Sequence, residues 1–178
     1  MKKLMSSLLL TLFMGIIAQA QNSQLPAVDK SPLDMSYFPA GYPILKIQDK
    51  ANEAPVARVI YSRPQKNGRN VFGELVEYGK VWRFGANEAT EIEFFRDVRM
   101  GGNKVRKGRY SLYAIPNPDS WTIILNKDLD TWGAFKYDQK KDVARINVKP
   151  ETITTDPVEY FTMYFDKAGA GFVLHAYW

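Results

Sequence analysis

Short segments rich in Val, Ile, Phe and Tyr recur along the chain from residue 55 onward, and clusters of Gly, Pro, Asn and Asp separate them. No stretch keeps the apolar period of about 3.6 residues that a long amphipathic helix requires. Strands without crossover helices must bury their apolar faces against another sheet or against themselves. The pattern predicts an all-β domain of about seven to nine short antiparallel strands. A sandwich, a jelly roll or a small barrel would satisfy it, and we expect a β-sandwich or a jelly-roll-like fold.

One hairpin is predicted more clearly than the others. Residues 90–98 alternate apolar and acidic side chains, as expected for a half-solvated strand. Gly101, Gly102 and Asn103 tolerate positive φ, so the chain can turn back directly into residues 104–106. Other segments predict further strands, at 56–62, 109–115, 121–126, 143–149, 158–166 and 171–178. A short helical turn is expected within 128–139.

The amino terminus has the features of a secretory leader. Lys2 and Lys3 precede an apolar stretch at 8–18, and Ala18-Gln19-Ala20 places small residues where a signal peptidase reads. The apolar run is shorter than the roughly 18 residues needed to cross a membrane. We therefore expect a cleavable signal peptide at residues 1–20, a mature chain that is not inserted in a membrane, and a periplasmic or secreted location.

Residues 21–54 are polar and rich in proline, which removes backbone donors and interrupts regular ladders. They predict a tether followed by an irregular lead-in, with the β domain at 55–178. Isolated aromatic residues in a linker usually cover something apolar. We therefore expect residues 36–39, which contain Tyr37 and Phe38, to dock on the domain.

Composition excludes several classes of site. The chain has no cysteine and one histidine, so disulfides, thiolate sites and metal cages of several histidines are ruled out, and we expect no metal. No phosphate-binding Gly-rich loop or dinucleotide fingerprint occurs, so we expect no nucleotide cofactor. Loss of Lys2 and Lys3 with the leader lowers the formal charge from +5 to +3. That charge is too small and too scattered to indicate nucleic-acid binding.

Residues 61–90 combine four glycines with arginine, aromatic and amide side chains. Glycine lets the backbone approach a ligand, arginine offers a planar fork of donors to anions, and aromatic rings offer flat faces to sugars. These features predict a binding site for a small polar or anionic ligand, such as a saccharide, formed by Arg69, Tyr78, Trp82, Arg83, Asn87 and Glu88. Structural roles are the alternative: Trp82 and Phe84 in the core, Arg83 paired with Glu88, and Asn87 bonded to its own backbone.

Two other functions stay open. A carboxylate-dependent hydrolase of envelope sugars needs two acidic groups about 5–10 Å apart. The candidates by residue type are Glu74, Glu77, Glu88 and Asp97. His175 lies in an apolar strand and no Gly-x-Ser-x-Gly turn is present, so we expect no Ser-His-Asp triad and assign no catalytic residue. A non-enzymatic binding module is the first hypothesis, and the hydrolase is its alternative. A structural or partner-binding envelope protein would instead expose an apolar patch larger than a few hundred Å².

Four segments carry a family resemblance: YSRPQKNGRNVFGELVEYGKVWRFGANEAT at 61–90, KGRYSLYAIP at 107–116, WTIILN at 121–126 and WGAFKY at 132–137. From about residue 31 to the end, the chain resembles the exported bacterial family labelled domain of unknown function 2911. The resemblance implies a secreted or periplasmic Gram-negative protein and supplies no activity or catalytic residues. It also implies a further β segment after the tryptophan that corresponds to Trp178, so a chain truncated there would leave a sheet edge unpaired.

Overall fold

The computed structural model of the protein describes residues 25–153 and 156–178. The expected signal peptide at 1–20 lies outside these residues. The strands are β1 (Leu33–Phe38), β2 (Ala57–Ser62), β3 (Thr90–Phe94), β4 (Val98–Met100), β5 (Asn103–Val105), β6 (Gly108–Ile115), β7 (Trp121–Asn126), β8 (Asp142–Val148), β9 (Thr162–Ala168) and β10 (Gly171–Tyr177). One helix, α1, spans Tyr42–Ile47, and a 3₁₀ turn spans Gln139–Lys141. No helix in the two described ranges is long and apolar enough to cross a bilayer.

Six strands form the main sheet in the order β1-β2-β3-β6-β7-β8, with antiparallel neighbours throughout. Side chains alternate between its two faces, as the pleat requires. In β3, for example, Ile92 and Phe94 are buried. Glu93 lies on the opposite face and forms an ion pair with Arg58, its direct neighbour on β2. Cross-strand pairs of this kind stabilise the register of a sheet.

The β9–β10 hairpin forms the second layer and covers the apolar face of the main sheet. Phe161, Met163 and Phe165 are nearly inaccessible to solvent and pack in one core with the inward residues of β2, β3 and β6. The buried Tyr61 hydroxyl donates to the Met163 carbonyl at 3.1 Å and so ties the two layers together. The all-β, sandwich-like fold predicted from the alternating pattern is confirmed.

The predicted hairpin turn is also confirmed, although the strand before it is divided. Met100 pairs with Asn103, so Gly101 and Gly102 form a two-residue turn, and both have positive φ. The single strand expected at 90–98 breaks into β3 and β4. The cause is local, because the Asp97 carboxylate accepts a hydrogen bond from the Lys107 backbone N–H at 2.9 Å and thus fixes a bend between the two strands.

The lead-in is more regular than the sequence predicts. An irregular structure was expected for residues 21–54, and this is wrong for β1 and α1. Pro32 and Pro39 flank β1 on either side, which leaves the donors between them free to pair with β2 along six residues. Phe38 stacks on Phe172 of β10 with ring centroids 4.8 Å apart, so the expected docking of this segment is confirmed.

Most other predicted elements lie close to their expected positions. β6, β7, β8 and β10 match the expected strands to within one residue. β9 begins at Thr162 rather than at residue 158, and the helical turn at Gln139–Lys141 barely overlaps the expected range of 128–139.

An aromatic cluster closes one end of the core and anchors the long connection between β2 and β3. Trp82 lies at its centre, where its indole N–H donates to the Gly85 carbonyl at 3.0 Å. Its backbone exchanges two hydrogen bonds with Ala114 of β6. The rings that surround Trp82 are Phe72, Phe84, Trp121, Phe161 and Trp178. The connection is therefore fixed to the sheet at this residue.

Candidate functional site

A pocket of about 250 Å³ opens where the β2–β3 connection meets the segment between β7 and β8. Val81 and Ala134 come from these two segments, and both pack against a cluster of Ala89, Tyr113 and Ile124 on the second face of the main sheet. The pocket, called here the Arg83 pocket, is lined by Leu75, Val76, Glu77, Lys80, Val81, Trp82, Arg83, Ala134 and Phe135. Its floor is thus attached to the most regular part of the fold.

The guanidinium of Arg83 is the distinctive group of this pocket. The side chain is half-buried, and its Nε is enclosed with no hydrogen-bond partner among the described residues. Burial lowers the pKa of Arg83, because removal from water disfavours the charged form. The group nevertheless stays protonated at neutral pH, since arginine loses its proton only in strong base. The pocket therefore contains a partly dehydrated cation, one donor of which is buried without a partner among the described residues.

Two exposed charged residues, Lys80 and Glu77, also line the pocket. With Arg83 they give two positive charges and one negative charge. Glu77 provides the one carboxylate among the lining residues. Within the described ranges, its oxygens do not come within 4.0 Å of the Arg83 nitrogens, so the two side chains form no ion pair. The side chains that line the pocket therefore carry a net charge of +1.

Apolar side chains form the rest of the wall, and Phe135 is the most exposed of them, at 83%. Its ring rests against Gly133, which has a φ of +69°. A Cβ at Gly133 would lie 2.7 Å from the ring, so glycine is what allows this contact. The Gly133 N–H donates to the Asn87 carbonyl at 2.9 Å, and this bond holds the Phe135 segment beside the β2–β3 connection.

The structure brings only two of the six predicted site residues, Trp82 and Arg83, to this pocket. The Arg69 guanidinium donates to the backbone carbonyls of Lys66 and Gln65, so its donors serve its own loop. The Tyr78 ring is partly exposed and rests on Gly73, outside the lining.

The other two predicted residues support the loop. Asn87 adopts a positive φ of 57°, and exposed Glu88 forms an isolated bridge with Trp132. The ion pair between Arg83 and Glu88 considered from the sequence is not formed among the described residues. The core positions considered for Trp82 and Phe84 are confirmed.

Sequence reasoning missed the contribution of Lys80, Ala134 and Phe135. The last two lie about 50 residues from Arg83 along the chain, and only the fold brings them near it. A partial signal was present in the WGAFKY segment at 132–137, where a glycine precedes an aromatic residue by two positions. That spacing allows an exposed ring to fold back over the glycine, but it does not reveal what the ring faces.

A second cavity of about 320 Å³ lies beside Trp178. It is lined by Lys66, Asn70, Val71, Phe72, Glu74 and Trp178. Its acidic and amide groups already bond to each other, because the Asn70 amide donates to Glu74 at 2.8 Å. With one lysine and one glutamate its charges balance, so it offers less to a charged ligand than the Arg83 pocket does.

The acidic residues considered from the sequence do not gather in one cleft. Glu74 bonds to Asn70 beside the second cavity, and Glu77 lies at the Arg83 pocket. Asp97 accepts the Lys107 backbone N–H, which lowers the pKa of that carboxyl group. Among the residues that the structure covers, no group of three or more His, Cys, Asp or Glu side chains could hold a metal ion.

Comparison with known families identifies one match. The family model described as "Protein of unknown function (DUF2911)" matches residues 43–178. The match covers the Arg83 pocket and every strand from β2 to β10, and it leaves out β1. No curated protein and no solved structure matches the chain.

Proposed function

The chain belongs to the DUF2911 family of proteins of unknown function, and we propose that it is an exported binding module that holds a small anionic ligand in the Arg83 pocket. The observation that carries this proposal is the half-buried Arg83 guanidinium, whose Nε has no partner in the described part of the chain. Export is supported by the leader pattern at residues 1–20.

The physical reason lies in the cost of dehydrating a cation. A buried charge is normally paired or hydrogen-bonded, because an unpaired one loses its hydration without compensation. An anion that enters the pocket would bond to the end of the guanidinium that still reaches solvent, and guanidinium geometry suits a carboxylate or another oxyanion that accepts two parallel hydrogen bonds. Lys80 adds long-range attraction from the rim.

The composition of the lining favours binding over catalysis. It includes one carboxylate, Glu77, whereas glycoside hydrolysis uses a pair of them. The lining residues include no serine, threonine, cysteine or histidine that could act as a nucleophile or a base with a pKa near neutrality. Recognition of an anion requires neither a second carboxylate nor a nucleophile or base of this kind.

A thermal-shift comparison of acetate, phosphate, sulfate, glucuronate and glucose with the purified protein tests the proposal. At a ligand concentration 100 times its Kd, stabilisation is about 2.7 kcal/mol, which raises the Tm of a domain of this size by about 5–10 °C. We expect one or more of the anions to do so and glucose to have no effect.

Two variants localise the effect. Arg83→Gln should abolish the shift, whereas Arg69→Gln should preserve it, because the Arg69 guanidinium is bonded to backbone carbonyls outside the pocket. The proposal is wrong if no anion stabilises the protein, or if Arg83→Gln responds like the unmodified chain.

A further inference from the structure

Building on the proposed function, we infer that the ligand is a small monocarboxylic acid whose carboxylate is attached to an apolar body. The carboxylate bonds to the Arg83 guanidinium, and the apolar body lies against the wall that ends at Phe135. Charge, wall chemistry, size and rigidity each support this assignment.

The charge of the pocket selects a singly charged anion. Arg83 and Lys80 exceed Glu77 by one positive charge. A monocarboxylate balances that excess, whereas a doubly charged phosphate would leave a negative surplus next to Glu77. Like charges in close proximity are unfavourable, most of all where the surroundings exclude water.

Part of the wall of the pocket is apolar and favours an apolar body. Six of its nine lining residues are apolar. Val76 and Trp82 are buried, so the accessible apolar surface comes from Leu75, Val81, Ala134 and Phe135. A sugar or an inorganic anion would place hydroxyl groups or charge against these side chains and lose hydration. An alkyl or aryl group would instead remove the exposed surfaces of Leu75 and Phe135 from water, which is favourable.

The volume limits the size of that body. The pocket measures about 250 Å³ and is smaller than the roughly 300–1,000 Å³ typical of sites for drug-sized ligands. One ring or a short alkyl chain fits this space together with the carboxylate.

One side of the wall is fixed in place before a ligand arrives. The Phe135 ring rests on Gly133, and Trp82 is held by its bonds to Gly85 and Ala114. Surfaces that are already ordered lose little conformational entropy on binding. The Phe135 ring is 83% exposed, so the face that does not touch Gly133 is open to a ligand.

Isothermal titration calorimetry of acetate, butanoate, hexanoate and 3-phenylpropanoate tests the assignment, with hexanamide and phosphate as controls. We expect affinity to rise about fourfold for each methylene until the pocket is filled. Hexanamide lacks the charge and should bind at least about tenfold more weakly than hexanoate, since charge-assisted bonds to Arg83 are lost. Phosphate should bind no more tightly than acetate.

A variant of the apolar wall provides the second measurement. Phe135→Ala should weaken 3-phenylpropanoate about fivefold and leave acetate unchanged, because only the longer acid reaches the ring. Ile47→Ala is the matched control, since Ile47 is similarly exposed but lies on α1. It should bind both acids like the unmodified protein.

The outcomes separate this inference from the proposed function. If acetate and phosphate bind through Arg83 but chain length has no effect, the ligand class is wrong and the anion site stands. If no anion binds, the proposed function fails. If hexanoate binds more tightly than acetate, comparison of N-acetylphenylalanine with 3-phenylpropanoate then distinguishes a peptide carboxyl terminus from a free acid.

Discussion

Replacement of Arg83 with methionine should make the protein more stable, which is unusual for a change at a half-buried residue. An enclosed donor without a partner costs about 1–3 kcal/mol, and the Nε of Arg83 is such a donor within the described residues. Methionine keeps most of the aliphatic stem and its packing but removes the charge. Because part of the guanidinium still reaches solvent, we expect Arg83→Met to raise the free energy of unfolding by only about 1 kcal/mol.

Arg63 provides the contrast, because it has a similar exposure and a full set of partners. Its guanidinium donates to Asp34 at 3.0 Å, to the Thr162 hydroxyl at 2.9 Å and to the Phe161 carbonyl at 3.3 Å. Arg63→Met leaves these acceptors without their donor. Hydrogen bonds that involve charged groups contribute about 1.5–3 kcal/mol, so this variant should lose about 2 kcal/mol.

Urea denaturation at neutral pH, followed by tryptophan fluorescence and far-ultraviolet circular dichroism, measures both effects. The protein should first be unfolded and refolded to remove any ligand that co-purifies with it, since bound ligand would stabilise the unmodified chain. In thermal scans, about 1 kcal/mol corresponds to about 2–4 °C for this chain length.

A loss of about 1 kcal/mol or more in Arg83→Met would refute the reasoning. Such a loss would mean that the guanidinium makes stabilising contacts within the protein and is not free to bind a ligand. Arg63→Met shows whether the assay detects the loss of a bonded guanidinium.

Three further predictions concern the end of β7 and the connection from β7 to β8. Burial, and then the hydrogen bond to Asp142, raises the pKa of Tyr137 to about 12, so the stability this phenol contributes should be complete below about pH 10 and lost as the pH rises towards 12. The difference in urea midpoint between the unmodified chain and Tyr137→Phe should therefore shrink over that range. Gly133→Ala should cost about 1–2 kcal/mol in urea denaturation because of its positive φ, and NMR should detect displacement of the Phe135 ring. Asn126→Ala should cost about 2–3 kcal/mol in the same assay, because its buried amide donates to the Asp142 carboxylate.

Local signals in the sequence predicted the strands and turns where both partners are near in the chain. The Gly101–Gly102 turn follows from two residues that accept positive φ between two strand-forming segments. Trp82 packs in the core, as one of the two interpretations predicted, and it also borders the Arg83 pocket. The residue types in 61–90 indicated a region unlike ordinary protein surface. They did not indicate which side chains would face the core and which would face the pocket.

The parts that could not be predicted depend on contacts between distant segments. Arg83 and Phe135 share a pocket because the β7–β8 connection folds back over β6 and β7, and no spacing in the sequence records that contact. Arg69 and Glu88 had the residue types of a binding site, but Arg69 bonds to carbonyls of its own loop and Glu88 forms a backbone bridge with Trp132. β1 was missed because its prolines flank the strand, where they do not interrupt the ladder.

The position of β1 matters for anyone who prepares a shortened recombinant form of this protein. The family match begins at residue 43, so a fragment cut at that boundary would lose β1 and its pairing with β2. The freed edge of β2 would then offer unpaired backbone groups to other molecules, and the Phe172 ring would lose the cover of Phe38. Such a fragment should aggregate during purification, whereas one that starts before Pro32, whose carbonyl accepts the Arg63 N–H, keeps the sheet edge protected.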